Sequence, residues 1–184
     1  MIESNADYRR YLAADRTALG NPHGATAWLT NDIWRFQRAL RRLEYLGNTG
    51  SPLRLIAHLW WRRQSRRLGF TIPPNVFGPG LSIAHYGTIV VNGAARIGSN
   101  CRIHTGVNIG TNAGTSSAAP VLGDNCYIGP GAKLFGAITI GDSTVIGANA
   151  VVNRDFPEGG VTLGGVPAKV ISAKSSDGLL IRGA

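Results

Sequence analysis

An aliphatic residue at every sixth position restricts this chain more than any other feature. Val91, Ile97, Ile103 and Ile109 fall on that period, and after a break Leu122, Ile128, Leu134, Ile140, Ile146 and Val152 do so again. The residue after the aliphatic is often glycine, as at Gly98, Gly110, Gly123, Gly129, Gly141 and Gly147. Four positions after the aliphatic comes a compact residue: Ala95, Cys101, Val107, Cys126, Ala132, Ile138, Thr144, Ala150. A period of six fits neither the 3.6 of a helix nor the 2 of a strand. It predicts a solenoid in which each hexad supplies one short strand and a turn, and three hexads close one triangular coil. The fold class is therefore mainly β, a parallel β-helix built from hexapeptide repeats.

The places where the period fails are as informative. Phe77, Ile83 and Ile89 are also six apart, but in another register, and the pattern slips by two residues from Ile89 to Val91. The disturbed coil carries AHYGTIVVN, residues 84–92. Stacked aliphatics cannot slip, so the extra residues must bulge, which puts His85 near the bulge and outside the prism. A second break separates Ile109 from Leu122 by thirteen residues. The segment GTNAGTSSAAPV reads as a loop leaving the coil, and repeat proteins commonly carry such insertions on the binding face. The stretch RDFPEGGVTLGGVPAKVIS then leaves the repeat through Pro157, Gly159 and Gly160.

Residues 1–70 read as an α-helical segment, 71–172 as the β-helix, and 173–184 as a patternless, mobile tail. One helix is expected over about 5–18, with Tyr8, Leu12 and Leu19 as its apolar side. Asn31 or Asp32 looks like the cap of a second, running to about Leu46 with its arginines facing away from the apolar side. Ser51 and Pro52 look like the start of a third, ending near Leu68 before Gly69. So small a helical segment buries little alone and is expected to dock on the solenoid or on another subunit.

The formal charge is +9, and most of the arginines lie between Arg9 and Arg67. That balance favours an anionic partner without choosing among a phosphate-bearing cofactor, a nucleic acid and a membrane surface. No nucleic-acid motif accompanies it. The N-terminal MIESNADYRR has no apolar run and does not read as a secretory signal. The longest apolar stretch, 53–61, is interrupted by Arg54 and His58 and is too short to span a bilayer. A soluble cytoplasmic protein is inferred. Cys101 and Cys126 occupy compact hexad positions and read as buried packing residues, not a disulfide. Only His85 and His104 lie in the solenoid, too few histidines for a three-histidine zinc site, so no metal is expected. His23 and His58 read as structural.

The hexads, AHYGTIVVN, VNIGTNAG and GGVPAKVI together resemble the hexapeptide-repeat acyltransferases. Within that family the chain is most similar to the serine acetyltransferase branch, and closest to surface-polysaccharide-associated variants, through IPPNVFGPGLSIAHYGTIVVN. The resemblance is strong over about 70–172 and looser in the helical segment, through DYRRYLAADRTALG. It implies a left-handed winding, against the usual right-handed crossover. It also implies acetyl transfer from acetyl-CoA to a hydroxyl, with His85 as catalytic base. Gly110, Thr111, Pro130, Ala148 and Lys169 match positions that hold acetyl-CoA, with small residues along the pantetheine arm and Lys169 near the phosphates. His104 and Tyr86 are candidates for acceptor binding. The groove needs two chains, so the resemblance implies a homotrimer or a dimer of trimers.

The chain departs from that branch where the amino acid is held. The acid expected fifteen residues before the histidine is Phe70, and the one directly before it is Ala84. The charged run of the loop is replaced by Ser117, Ala118, Ala119 and Pro120. Another group, such as a main-chain carbonyl, is then needed to orient His85. Loss of the charges suited to a zwitterion favours a sugar or surface-polysaccharide precursor as acceptor. The alternatives are a serine O-acetyltransferase of cysteine biosynthesis and a binding or scaffold trimer that has lost its chemistry.

Overall fold

The computed structural model describes residues 1–22, 30–114 and 117–183. His23 and part of the 111–120 loop lie outside them. Among the described residues three helices, α1 (Asn5–Ala18), α2 (Asp32–Asn48) and α3 (Arg54–Leu68), precede fourteen short strands, from β1 (Phe70–Thr71) to β14 (Lys169–Ser172). The strands form three sheets: β1, β3 (Ile89–Val91), β6 (Asn108–Gly110), β9 (Lys133–Phe135) and β12 (Val151–Val152); β4 (Arg96–Ile97), β7 (Val121–Leu122) and β10 (Thr139–Ile140); and β2 (Ser82–Ile83), β5 (Arg102–Ile103), β8 (Tyr127–Ile128), β11 (Val145–Ile146), β13 (Thr162–Gly164) and β14, each in that order. From β4 to β12 (Val151–Val152) the chain visits the sheets in turn, and neighbours within a sheet are three strands apart. Their pairing is parallel, and the regular coils join residues eighteen apart, such as Lys133 with Val151 and Tyr127 with Val145. Three hexads per coil are thus present as the period predicts.

The reason lies in the hexad itself. Every aliphatic on the period, and every compact residue four positions later, is buried. The turn before the compact residue needs a positive φ. Asn100, Asn125 and Asn149 take it near 55–57°, and Gly106 and Gly131 fill the same slot near 75°. Asparagine and glycine are the residues that tolerate this conformation. Burial keeps both thiols protonated, with Cys126 pushed up to about 12 and Cys101 raised likewise, which suits a packing role.

The irregular coils carry their surplus outside the core. β2 (Ser82–Ile83) pairs with β5 (Arg102–Ile103) at a spacing of twenty, two more than a regular coil. Ile83 and Ile89 stay buried, and the surplus leaves His85 and Tyr86 exposed. At the far end of the chain, residues 173–183 run back over the coils and are held there, where a mobile tail is expected from the sequence. Ser176 is buried, its backbone amide donates to the Ser143 carbonyl at 3.0 Å, and the Gly183 amide donates to Asn100 Oδ1 at 3.0 Å.

The helices dock on the first coil through polar side chains. Asn31 caps α2, its Oδ1 accepting from the Trp34 amide at 2.9 Å. The third helix starts at Arg54, beyond Ser51 and Pro52, and has no side-chain cap. The apolar side of α1 is turned from the expected one, since Tyr11, Ala14 and Ala18 are buried. The expectation that the arginines of α2 face solvent fails at Arg41, which is 0% exposed. Its guanidinium donates to Asp15 at 2.8 Å and to Glu44 at 3.0 Å, and also to the carbonyls of Phe77 and Gly78 at 2.9 and 2.7 Å. Asp15 Oδ1 accepts from the Gly80 and Leu81 amides at 2.9 Å. Gln37 donates to the Leu81 carbonyl at 2.7 Å, and Glu44 accepts from the Asn75 amide at 2.8 Å. Gln37, Arg41 and Glu44 are four and three residues apart, so one stripe of α2 meets the peptide groups of the coil. Phe36 adds an edge-on contact with Phe70, ring centroids 5.0 Å apart.

Breaking this network should cost far more than removing a surface charge, because the carboxylates left behind are buried. Arg41→Leu is expected to lose about 3–5 kcal/mol in chemical denaturation. Arg10→Leu, at an exposed ion pair with Asp7, should leave the midpoint where it is.

Candidate active site

His85 follows β2 in the two-residue surplus, where no core contact fixes its side chain. It lines a cavity of about 530 Å³ with Thr30, Asn31, Asp32, Ile33, Ala84 and Tyr86. One wall is therefore the start of α2 and the other the bulge of the coil. Asp32 is held between two cations, with Arg35 Nη1 and Arg67 Nη2 each 3.2 Å from one carboxylate oxygen. Gly87 closes the bulge at a φ of 125°, and a Cβ there would collide with Thr105 Oγ1 on the next coil. No hydrogen bond to the His85 imidazole is present among the described residues.

His104 sits one coil below, its ring centroid 6.4 Å from that of His85. Following a core aliphatic it is expected to point outward, yet it is only 8% exposed. Its ring folds down so that Nδ1 lies 2.9 Å from the Ile128 carbonyl. A carbonyl only accepts, so in the neutral ring the proton is on Nδ1 and Nε2 has the free lone pair. The Tyr127 hydroxyl lies 3.4 Å from that Nε2, and the two rings are 4.8 Å apart. Burial lowers the His104 pKa against the pull of the Ile128 carbonyl, with Arg102 and His85 adding to the lowering. The main-chain carbonyl expected for His85 is thus found on its neighbour.

The other sequence-derived positions fall on two edges of the prism. Below Gly87 and Thr105, the Gly131 amide donates to the Thr105 carbonyl at 2.9 Å, and the Asn149 amide donates to the Pro130 carbonyl at 2.9 Å. Pro130 and Ala148 are therefore stacked, exposed, on the edge that His85 heads. Lys169 is exposed in β14, paired with Gly164 at the bottom of the stack. Gly110 ends β6 (Asn108–Gly110) and Thr111 follows it, across one sheet from that edge. A single chain does not bring these two next to His85. Among the described residues no group of three His, Cys, Asp or Glu is placed to hold a metal ion.

Asp32, Asn31 and Tyr127 are additions to the residues read from the sequence. Asn31 and Asp32 are legible there only as a helix cap, and nothing local marks them as neighbours of a residue fifty positions on. Tyr127 precedes Ile128 at an outward hexad position, and pairs in register with Arg102, so it is set beside His104 by the coil stacking alone.

Residues 119–154 match the family described as bacterial transferase hexapeptide (six repeats). A serine acetyltransferase of Synechococcus elongatus is 39% identical over 121 residues, covering 64% of this chain and 47% of that protein. The chain spans about half the length of the curated relatives it matches. The serine acetyltransferase of Brucella abortus strain S19, solved in complex with coenzyme A, superposes with a TM-score of 0.75 at 27% identity, covering 93% of this chain and 70% of that one. The serine acetyltransferase of Neisseria gonorrhoeae, solved in complex with serine, gives a TM-score of 0.74 at 29% identity, covering 92% and 71%. These relatives lend no support to the expected surface-polysaccharide variant or to a sugar acceptor.

The lowered pKa of His104 has a signed consequence. The fold favours the neutral ring, so the unfolded chain binds the additional proton. The stabilisation is complete above the ordinary histidine pKa. It declines as pH falls through that value and levels off only below the depressed one. Nitrogen-15 NMR should show His104 protonated on Nδ1 alone at neutral pH. Denaturation across pH 5–8 should lose this component of its slope in His104→Gln.

Proposed function

We propose that this chain, which carries the transferase hexapeptide repeat and is related to serine acetyltransferases, is an acetyl-CoA-dependent serine O-acetyltransferase with His85 as its general base. The observation that carries the reading is the position of His85. It stands on an exposed bulge, beside a cavity, at the head of an edge that descends through Pro130 and Ala148 to Lys169.

A serine hydroxyl is a weak nucleophile at neutral pH. His85 takes its proton as the oxygen attacks the thioester carbonyl carbon. The tetrahedral intermediate collapses, the carbon–sulfur bond breaks, and the proton on His85 passes to the leaving thiolate. The pantetheine arm lies along the small residues of the edge, with Lys169 toward the phosphates. Gly110 and Thr111 belong to the same groove when two left-handed prisms pack side by side, which makes the working unit a homotrimer, here placed in the cytoplasm.

The cavity favours serine over a sugar for a reason absent from the 111–120 loop. Asp32 lines the cavity and offers a carboxylate for an ammonium group, while it also pairs with Arg35 and Arg67. A charged group for the amino acid thus comes from α2. Tyr86 lines the same space, and His104 lies behind His85 with ring centroids 6.4 Å apart.

Release of free thiol from acetyl-CoA, measured with serine, homoserine, free sugars and nucleotide sugars, tests the reading. Turnover with serine is expected, and His85→Ala should lower kcat about 10²–10⁴-fold. Turnover with a sugar alone would replace serine as acceptor, and wild-type rates in His85→Ala would leave a scaffold protein. Asp32→Asn should raise KM for serine about tenfold or more, with a smaller change in kcat.

A further inference from the structure

The helix α3 has two unlike sides. Ala57, Gln64, Ser65 and Leu68 are buried. On the opposite side Leu55, Ile56, Leu59 and Trp60 are 68%, 66%, 65% and 45% exposed. Arg62, Arg63 and Arg66 continue that side, all exposed. Leu55, Leu59, Arg62 and Arg66 are spaced by four, three and four residues, so they form one line along the helix. The helix sequence RLIAHLWWRRQSRRL contains no acidic residue. The apolar half continues into a cavity of about 420 Å³ between α2 and α3, lined by Leu46, Leu53, Ile56 and Trp60 with Arg42 at its side. Contiguous exposed aliphatics of this kind mark an interaction surface, unlike single exposed residues.

We propose that the outward side of α3 is a docking surface for an anionic lipid bilayer. The charge selects this occupant. A second copy of α3 would bring no carboxylate to Arg62, Arg63 and Arg66, since the helix has none. A nucleic acid would engage the arginines and leave Leu55, Ile56 and Leu59 in water, with Trp60 as the lone outward ring for stacking. An anionic bilayer uses both halves. The leucines, Ile56 and Trp60 enter the boundary between headgroups and acyl chains, and the arginines take lipid phosphates. The +9 charge of the chain draws it toward such a surface from a distance. No helix among the described residues is long and apolar enough to cross a membrane, so α3 lies in the plane of the surface. Such a contact is reversible and salt-sensitive.

Co-sedimentation of the intact protein with vesicles tests this. Vesicles of phosphatidylcholine alone should carry down little protein, and vesicles containing phosphatidylglycerol should carry down most of it at low salt. Leu59→Glu, and separately the combination Arg62→Gln, Arg63→Gln, Arg66→Gln, should each weaken binding about tenfold or more. Circular dichroism and acetyl transfer should stay at wild-type levels, since none of these residues lines the His85 cavity. Should Leu59→Glu fail to fold, the glutamine combination decides. Equal sedimentation of wild type and variants overturns the proposal. So does binding of duplex DNA without binding of vesicles, and so does a wild type that ignores vesicles while Leu59→Glu lowers its oligomeric mass.

Discussion

A stack of parallel coils ends in peptide groups that have no next coil to pair with, and a buried group left unpaired is costly. The first coil of this protein solves that with the polar stripe of α2 and with Asp15 of α1. Gln37 and Arg41 donate to its carbonyls, and Glu44 and Asp15 accept from its amides. Burial opposes the charge on Arg41, but Asp15 and Glu44 outweigh it and hold its pKa above the ordinary value. Burial raises the pKa of Glu44, and Arg41 pulls it back. The three charges are tolerable only together. Their geometry fixes where α2 lies, and so where Asn31 and Asp32 lie beside His85.

The site is made from departures from the repeat on one side and from the cap of the repeat on the other. A regular coil has no room for an exposed, unanchored histidine. Two additional residues between Ser82 and Val91 provide it without moving Ile83 or Ile89 from the core. The coil below then contributes His104, whose tautomer is set by the Ile128 carbonyl. A ring held at Nδ1 by a carbonyl thus stands beside one with no hydrogen-bond partner among the described residues, their centroids 6.4 Å apart.

Most of the frame was legible in the sequence because hexad spacing leaves one packing solution. Each aliphatic on the six-residue period from Val91 to Val152 is buried as its position requires, and the slip at Ile89 locates the bulge. The helices were found by their caps and breaks, with the start of α3 misplaced by the attraction of Ser51 and Pro52. Arg41 was misread because helical periodicity separates charged from apolar residues, and a buried ion network violates that separation. The acceptor preference failed for a related reason. The resemblance directs attention to charge in the loop at 117–120, while the carboxylate that lines the cavity, Asp32, comes from α2. Contacts between residues fifty apart leave no local trace.

The last strand has a consequence of its own. β14 pairs with β13 (Thr162–Gly164) in the antiparallel sense, in a molecule whose other strand pairs are parallel. The neighbouring edge is covered as well, because the Val151 amide donates to the Gly165 carbonyl and the Ala168 amide donates to that of Val151. A parallel coil with a bare lower rim is a template on which an identical molecule could continue the stack, head to tail and without limit. A final strand that runs backwards presents the wrong polarity for that continuation. The direction of four residues, Lys169–Ser172, thus closes the lower rim, as the polar stripe of α2 closes the upper one.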